Sequence, residues 1–196
     1  MTVTATPTTF YFDLGSPFAY LTAERLHRGA LPEPVAWQPI SLGGIFKLNG
    51  RSSWALSGAD PRRQGMAEVE RRALEYGLPP LRWPEPWPGN YLMAMRAATF
   101  ALRAGRGPEF TLRALRNAFQ QGADLSIPEQ VLRAAGEAGL NPQEVQEATQ
   151  SDEIKLALRA ATDAAHDLGV FGVPTIYAAE ELFWGDDRLG DAAARL

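Results

Sequence analysis

The chain has 196 residues and not one cysteine. That excludes disulfides, thiolate metal sites and a cysteine nucleophile. If thiol chemistry happens here, the thiol comes from a ligand. Histidine is nearly absent too: His27 and His166 are too few for a convincing histidine metal site, and neither is assigned a role. Basic charge is not in surplus. With 19 Lys and Arg against 23 Asp and Glu, well mixed, the net charge is −4, which gives neither a nucleic-acid footprint nor a polybasic membrane patch. No run of 18 apolar residues exists, so no membrane span is expected. The start, Met1 to Thr9, is polar and lacks both basic residues and an apolar core. No secretory signal is expected there, and a cytoplasmic location follows. What the chain does have is 45% hydrophobic residues. That is ample for one large domain, or for one domain carrying a sizeable insertion.

The stretch that organises the chain is Phe10 to Leu21. Phe10-Tyr11-Phe12 is apolar and aromatic, which favours a strand. Asp13, Leu14 and Gly15 break it. Ser16 then stands where a helix N-cap belongs, and Pro17 fits the first helical position. The helix runs through Ala19, Leu21, Ala23 and Leu26 and stops near Gly29. A hydroxyl is thus held beside free backbone N–H groups and the positive end of a helix dipole. Such a place suits an anion: phosphate, carboxylate or thiolate. Taken alone, a Ser-Pro pair before an apolar helix is usually just a cap.

Val35 to Ile40 reads as a second strand, ending or lying at an edge because of Pro39. The span from Phe10 to Ile40 therefore has a β-α-β rhythm. Residues Ser41 to Trp54 read as a loop rich in glycine and hydroxyls that holds Lys47, Asn49 and Arg51 close together. A helix capped by Asp60 follows, to Tyr76. A stiff proline-rich connector runs from Leu78 to Gly89. More helices are opened by Asn90, by Pro108, by Ser126 through Glu129 with capping-box spacing, by Asn141, and near Asp152. The character then changes. Val170 to Tyr177 is apolar and β-branched, a strand with Pro174 near its start. Ala179 to Glu181 is a turn, and Leu182-Phe183-Trp184 completes a hairpin. Asp186 or Asp187 caps a terminal helix. The order is β-α-β, a block of about six helices, then β-β-α. Two halves that share one sheet, with helices inserted between them, describe an α/β, thioredoxin-like fold. The boundaries expected are a thioredoxin-like domain over residues 1–44 and 166–196, and a helical insertion over 45–165.

Three short motifs in this order carry a resemblance that covers nearly the whole chain. They are Asp13-Leu14-Gly15-Ser16-Pro17-Phe18-Ala19-Tyr20-Leu21, Gly172-Val173-Pro174-Thr175 and Trp184-Gly185-Asp186-Asp187-Arg188. The chain resembles the DsbA-like branch of the thioredoxin superfamily. Within it, the 2-hydroxychromene-2-carboxylate isomerases and the kappa-class glutathione transferases are most similar. Redox members carry Cys-Pro-x-Cys at the first helix; here Ser16 and Ala19 take the two cysteine places. The resemblance implies that Ser16 contacts the sulfur of bound glutathione, or of another small thiol. It implies that Pro174 is cis and offers the backbone of Val173 to a peptide-like ligand. It implies that Asp187 and Arg188 grip the γ-glutamyl end, with Asp186 where a small hydroxyl residue is common. Read without the resemblance, Pro174 is equally a strand-entry proline and Gly-Asp-Asp-Arg most often a helix cap. Arg51 stands where the family often has an asparagine. Lys47, Asn49 and Arg51 are therefore candidates for the glycine end of glutathione or for the substrate, and equally a solvated loop. Trp54, Trp83, Trp87 and Tyr91 either wall a flat pocket or pack elsewhere. Arg96 either faces that pocket or reaches solvent.

The function implied is a glutathione-dependent isomerase acting on a small aromatic carboxylate. A thiolate adds reversibly to the conjugated acid, a bond rotates, and the thiolate leaves. A kappa-like transferase, which keeps the adduct, is the alternative within enzymes. A non-catalytic thioredoxin-like module that binds peptides is the alternative outside them. A homodimer is a family expectation; no nucleic-acid or membrane partner is expected.

Overall fold

Alternation along the first strand decides the layers. The computed structural model describes residues 7–32 and 34–196, so most of the polar start read as lacking a signal lies outside the described residues. Strand β1 is Thr9–Phe12. Phe10 and Phe12 point to one side, into the main core with Trp37, while Tyr11 packs on the other side near Ile40, Ile45, Ala165 and Val170. Helix α1, Pro17–His27, returns the chain to β2, Ala36–Pro39, which pairs parallel to β1. Strand β3, Thr175–Ala178, lies antiparallel on the other flank of β1, and β4, Glu181–Trp184, pairs antiparallel to β3. The sheet order is β2-β1-β3-β4. Two residues, Ala179 and Glu180, join β3 to β4, both at positive φ. That handedness fits the twist of a tight hairpin.

Between β2 and β3 the chain is helical: α2 Leu42–Leu48, α3 Ala59–Glu75, α4 Leu92–Arg103, α5 Gly107–Gln121, α6 Pro128–Glu137, α7 Pro142–Gln150 and α8 Asp152–Asp167. The hydrophobic core runs on from the sheet into these helices, from Phe10, Phe12 and Tyr20 to Phe110, Leu115 and Phe119. A partly buried ion pair also crosses that junction. Glu24 of α1 accepts from Arg116 of α5 at 2.6 and 2.9 Å. This is the thioredoxin-like α/β architecture with inserted helices.

Four local expectations are corrected. The glycine-rich stretch after β2 is not all loop; α2 forms there. Ser41 caps it, accepting from the Gly44 N–H at 3.2 Å. A side chain on Gly44 would meet Thr162 of α8 at 3.1 Å, so close packing on α8 outweighs the poor helix propensity of glycine. The capping box at Ser126 does not form, because its hydroxyl donates to Asp124 at 2.7 Å and Ile127 takes the cap position. Residues 170–174 are not strand; β3 begins at Thr175. Neither Asp186 nor Asp187 caps the last helix, α9, Leu189–Ala193. Both lie in a 3-10 turn, Asp186–Arg188, that Gly185 opens. Asp186 is turned inward, to partners described below.

Candidate functional site

The N-terminus of α1 opens on a cavity of about 1000 Å³. Ser16 sits at its floor, 5% exposed. Its oxygen accepts from the Ala19 N–H at 3.2 Å. A serine hydroxyl has one hydrogen to give, and no acceptor for it lies among the described residues. The Phe18 N–H, one of the first-turn donors of α1, likewise has no backbone partner among the described residues. Two donors without partners and the positive end of a helix dipole thus lie together at the start of α1. No second reactive side chain stands at Ala19, which is buried.

Asp13 borders the same floor; in the sequence it breaks the strand and begins the first motif, with no role of its own. Its carboxylate accepts from the Gly15 and Leu42 N–H groups, each at 2.8 Å. Burial nevertheless pushes its carboxyl above the usual range. It ties the end of β1 to the start of α2 and so fixes the turn that presents Ser16.

Val173–Pro174 forms the opposite lip, and that bond is cis. The backbone N–H and carbonyl of Val173 make no backbone hydrogen bond among the described residues. Pro174 in turn accepts from the Gly185 N–H at 2.9 Å, which brings the Asp186 to Arg188 turn against the same lip.

That turn holds its charges in different ways. Asp187 is exposed on the cavity wall. Arg188 lines the cavity as well and pairs with Asp191. Asp186 borders the cavity but is only 1% exposed. Its two oxygens accept from Arg72 at 2.7 Å and from the Tyr76 hydroxyl at 2.9 Å. Arg25 donates to its backbone carbonyl. Both carboxylate oxygens are committed inside the protein, so Asp186 holds α3 rather than a ligand. Burial is the main reason its carboxyl lies above the usual range, Arg72 and Tyr76 opposing it. Arg72, missed by sequence reasoning, enters the cavity wall from α3. No local signal could have found it, because its partner is 114 positions away.

Aromatic residues form one wall. Phe18, Trp54, Trp87 and Tyr91 line the cavity. The Trp87 indole donates to the Gly15 carbonyl at 3.3 Å, and burial pushes the Tyr91 phenol up to about 12. Trp83 does not line it. It packs at a tilt behind Trp87, with centroids 4.8 Å apart, and donates to Glu70 at 2.6 Å. Arg96 also lies outside the cavity and turns toward the Thr149 carbonyl of α7. Of the three candidates after β2, Arg51 lines the cavity, whereas Lys47 and Asn49 do not. The reason is α2 itself: Asn49 ends the helix, its amide donating back to the Ile45 carbonyl at 2.9 Å, and Lys47 is on the exposed side. Across the mouth, Phe171 and Trp184 form an exposed aromatic pair that sequence reasoning did not single out.

Comparison with known proteins gives the family and the fold that carry this cavity. The model of the DSBA-like thioredoxin domain matches residues 8–196. A 2-hydroxychromene-2-carboxylate isomerase from Sphingobium xenophagum is 27% identical over 186 residues, covering 92% of this chain and 92% of that protein. The solved structure of a 2-hydroxychromene-2-carboxylate isomerase superposes with a TM-score of 0.83 at 23% identity, covering 94% of this chain and 91% of that one. A cytosolic disulfide reductase from Pseudomonas aeruginosa, solved with GSH, superposes with a TM-score of 0.65 at 18% identity over 96% of each chain. At these identities the two superpositions show the fold.

Proposed function

The chain belongs to the DSBA-like thioredoxin domain family, and from that premise we propose that it is a thiol-dependent isomerase of the 2-hydroxychromene-2-carboxylate type, with glutathione as the thiol. One observation carries the reading. At the helix start where redox relatives hold two thiols, this chain holds a serine with a free hydroxyl hydrogen and an alanine. That arrangement cannot exchange disulfides, but it can hold a thiolate that arrives with a ligand.

The residues present fit such a ligand. Val173 offers an unpaired N–H and carbonyl to a peptide-like backbone. Asp187 offers an exposed carboxylate to an ammonium, and Arg188 lies next to it. When bound, glutathione supplies the sulfur that adds reversibly to a conjugated double bond. Ser16 donates a hydrogen bond to a sulfur anion, and the dipole of α1 with the Phe18 N–H stabilises the same charge. Ser16 therefore lowers a thiol pKa and does not itself attack. The aromatic wall of Phe18, Trp54, Trp87 and Tyr91 keeps water from the reacting carbon and receives a flat acid.

Product mass tests the reading. The protein is incubated with glutathione and 2-hydroxychromene-2-carboxylate. Conversion to a product of unchanged mass supports an isomerase. A product heavier by one glutathione makes the protein a transferase, and no conversion removes the enzymatic reading for this acid.

A further inference from the structure

Three cationic side chains line the cavity, and they are not equivalent. Arg72 is held by Glu68 and Asp186, with Asp187 at 3.5 Å. Arg188 is paired with Asp191. Arg51 has no carboxylate partner among the described residues, and it is exposed at the cavity mouth. Its guanidinium lies 5.6 Å from the centroid of the Phe171 ring. That ring packs on Trp184, with centroids 4.8 Å apart.

Phe171 and Trp184 are 37% and 50% exposed, yet they are not loose. A methyl group on Gly172 would stand 2.6 Å from the Trp184 indole nitrogen, so the indole lies against bare glycine backbone. A large aromatic pair is thus fixed in water beside Val173, next to an unneutralised arginine. Two rings held at a tilt in water beside a cavity offer a flat ligand a surface to cover. A planar guanidinium takes a carboxylate through two parallel hydrogen bonds and tolerates an aromatic neighbour better than an ammonium does.

We propose that Arg51, Phe171 and Trp184 form the receiving face for the substrate: Arg51 takes the carboxylate of a planar aromatic acid, and the Phe171–Trp184 pair takes its ring. This rests on reading the cavity as a thiol and aromatic-acid site. The ring pair is what assigns the carboxylate to the aromatic ligand rather than to the thiol, because glutathione has no ring to place there. Lodged on this face, the acid lies beside Val173, on the lip where a peptide-like thiol would pair.

Calorimetry without glutathione and without turnover separates this proposal from the isomerase reading. The probes are 1-naphthoate and its neutral counterpart 1-naphthamide, with the native protein, Arg51→Gln and Trp184→Leu. Naphthoate is expected to bind the native protein and to bind Arg51→Gln about ten-fold more weakly, as for a lost charge-assisted bidentate contact. Naphthamide affinity should be the same with and without Arg51, and Trp184→Leu should weaken both probes. Glutathione, titrated separately, should bind native protein and Arg51→Gln alike. Loss of glutathione affinity in Arg51→Gln with naphthoate unchanged would overturn the proposal, as would no naphthoate binding by the native protein. Arg51-dependent naphthoate binding in a protein that isomerises nothing would keep this inference and remove the isomerase.

Discussion

The Ser16 oxygen accepts the Ala19 N–H at 3.2 Å and keeps its own hydrogen uncommitted. One residue therefore both caps α1 and offers a donor to the cavity. Replacing Ser16 by cysteine reads out that environment without any ligand. The native chain has no other cysteine, so the variant carries a single thiol. A thiol at a helix N-terminus titrates below the usual value near 8.5. Thiolate absorbance at 240 nm should accordingly show a midpoint below 8.5. A midpoint at or above that value would mean that the site does not stabilise a sulfur anion.

Asp186 links α3 to the turn after β4 through Arg72 and Tyr76. Asp186→Ala leaves Arg72 facing a cavity with one partner fewer and removes the Tyr76 acceptor. Breaking one side of a buried pair costs about 3 kcal/mol, or roughly 6 to 12 °C in a chain this long. Tyr76→Phe removes only one hydrogen bond and should cost about 1 kcal/mol. Thermal melts of both variants check the order. Equal, small losses would mean that the network contributes little.

Tyr76 and Tyr91 are both pushed up to about 12, by burial first and, for Tyr76, then by the hydrogen bond to Asp186. A phenol that holds its proton more tightly in the folded state adds stability that is whole below pH 10. That stability is lost as pH rises through about 12. Stability should fall between pH 10 and 12, and the fall should be shallower in Tyr76→Phe and in Tyr91→Phe. Phenolate absorbance of the folded protein near pH 10 should not diminish in either variant. A diminished step would show that the missing phenol titrates normally.

The turn between β3 and β4 places Glu180 at φ 65 without a glycine. Left-handed backbone costs an ordinary residue about 1 to 2 kcal/mol, which glycine avoids at an entropic cost of about 0.5 to 1 kcal/mol. Glu180→Gly should therefore raise the melting temperature by roughly 1 to 4 °C, for a net gain of about 0.5 to 1 kcal/mol. A lower melting temperature would show that the Glu180 side chain, or the stiffer chain, outweighs the backbone gain.

Local signals were legible in the sequence and distant ones were not. Ser16 and Pro17 mark the start of α1 through chemistry confined to a few neighbours, and Asn141 does the same for α7. The order of strands and helices follows from such marks, and with it the fold. Ser126 misled because its capping spacing competes with Asp124, two residues back. Gly44 misled because its packing on Thr162 of α8 favours the helix that two adjacent glycines would otherwise oppose. Within the site, Ser16 and Val173 line one cavity, and each belongs to a motif legible in the sequence. The inward turn of Asp186 was not, since Arg72 and Tyr76 come from a helix whose own pattern reads as an ordinary amphipathic surface helix. Lys47, Asn49 and Arg51 look alike in sequence; only the end of α2 separates Arg51 from the other two.

The most direct measurement is the rate of 2-hydroxychromene-2-carboxylate isomerisation as glutathione is raised from zero to millimolar concentrations, in the native protein and in Ser16→Ala. Catalysis by a borrowed thiolate requires no turnover without the thiol, saturation with it, and a loss of about a hundred-fold in Ser16→Ala from the missing donor to sulfur. Isomerisation at full rate without glutathione, or an unchanged rate in Ser16→Ala, would contradict the role given to Ser16 and to the helix it caps.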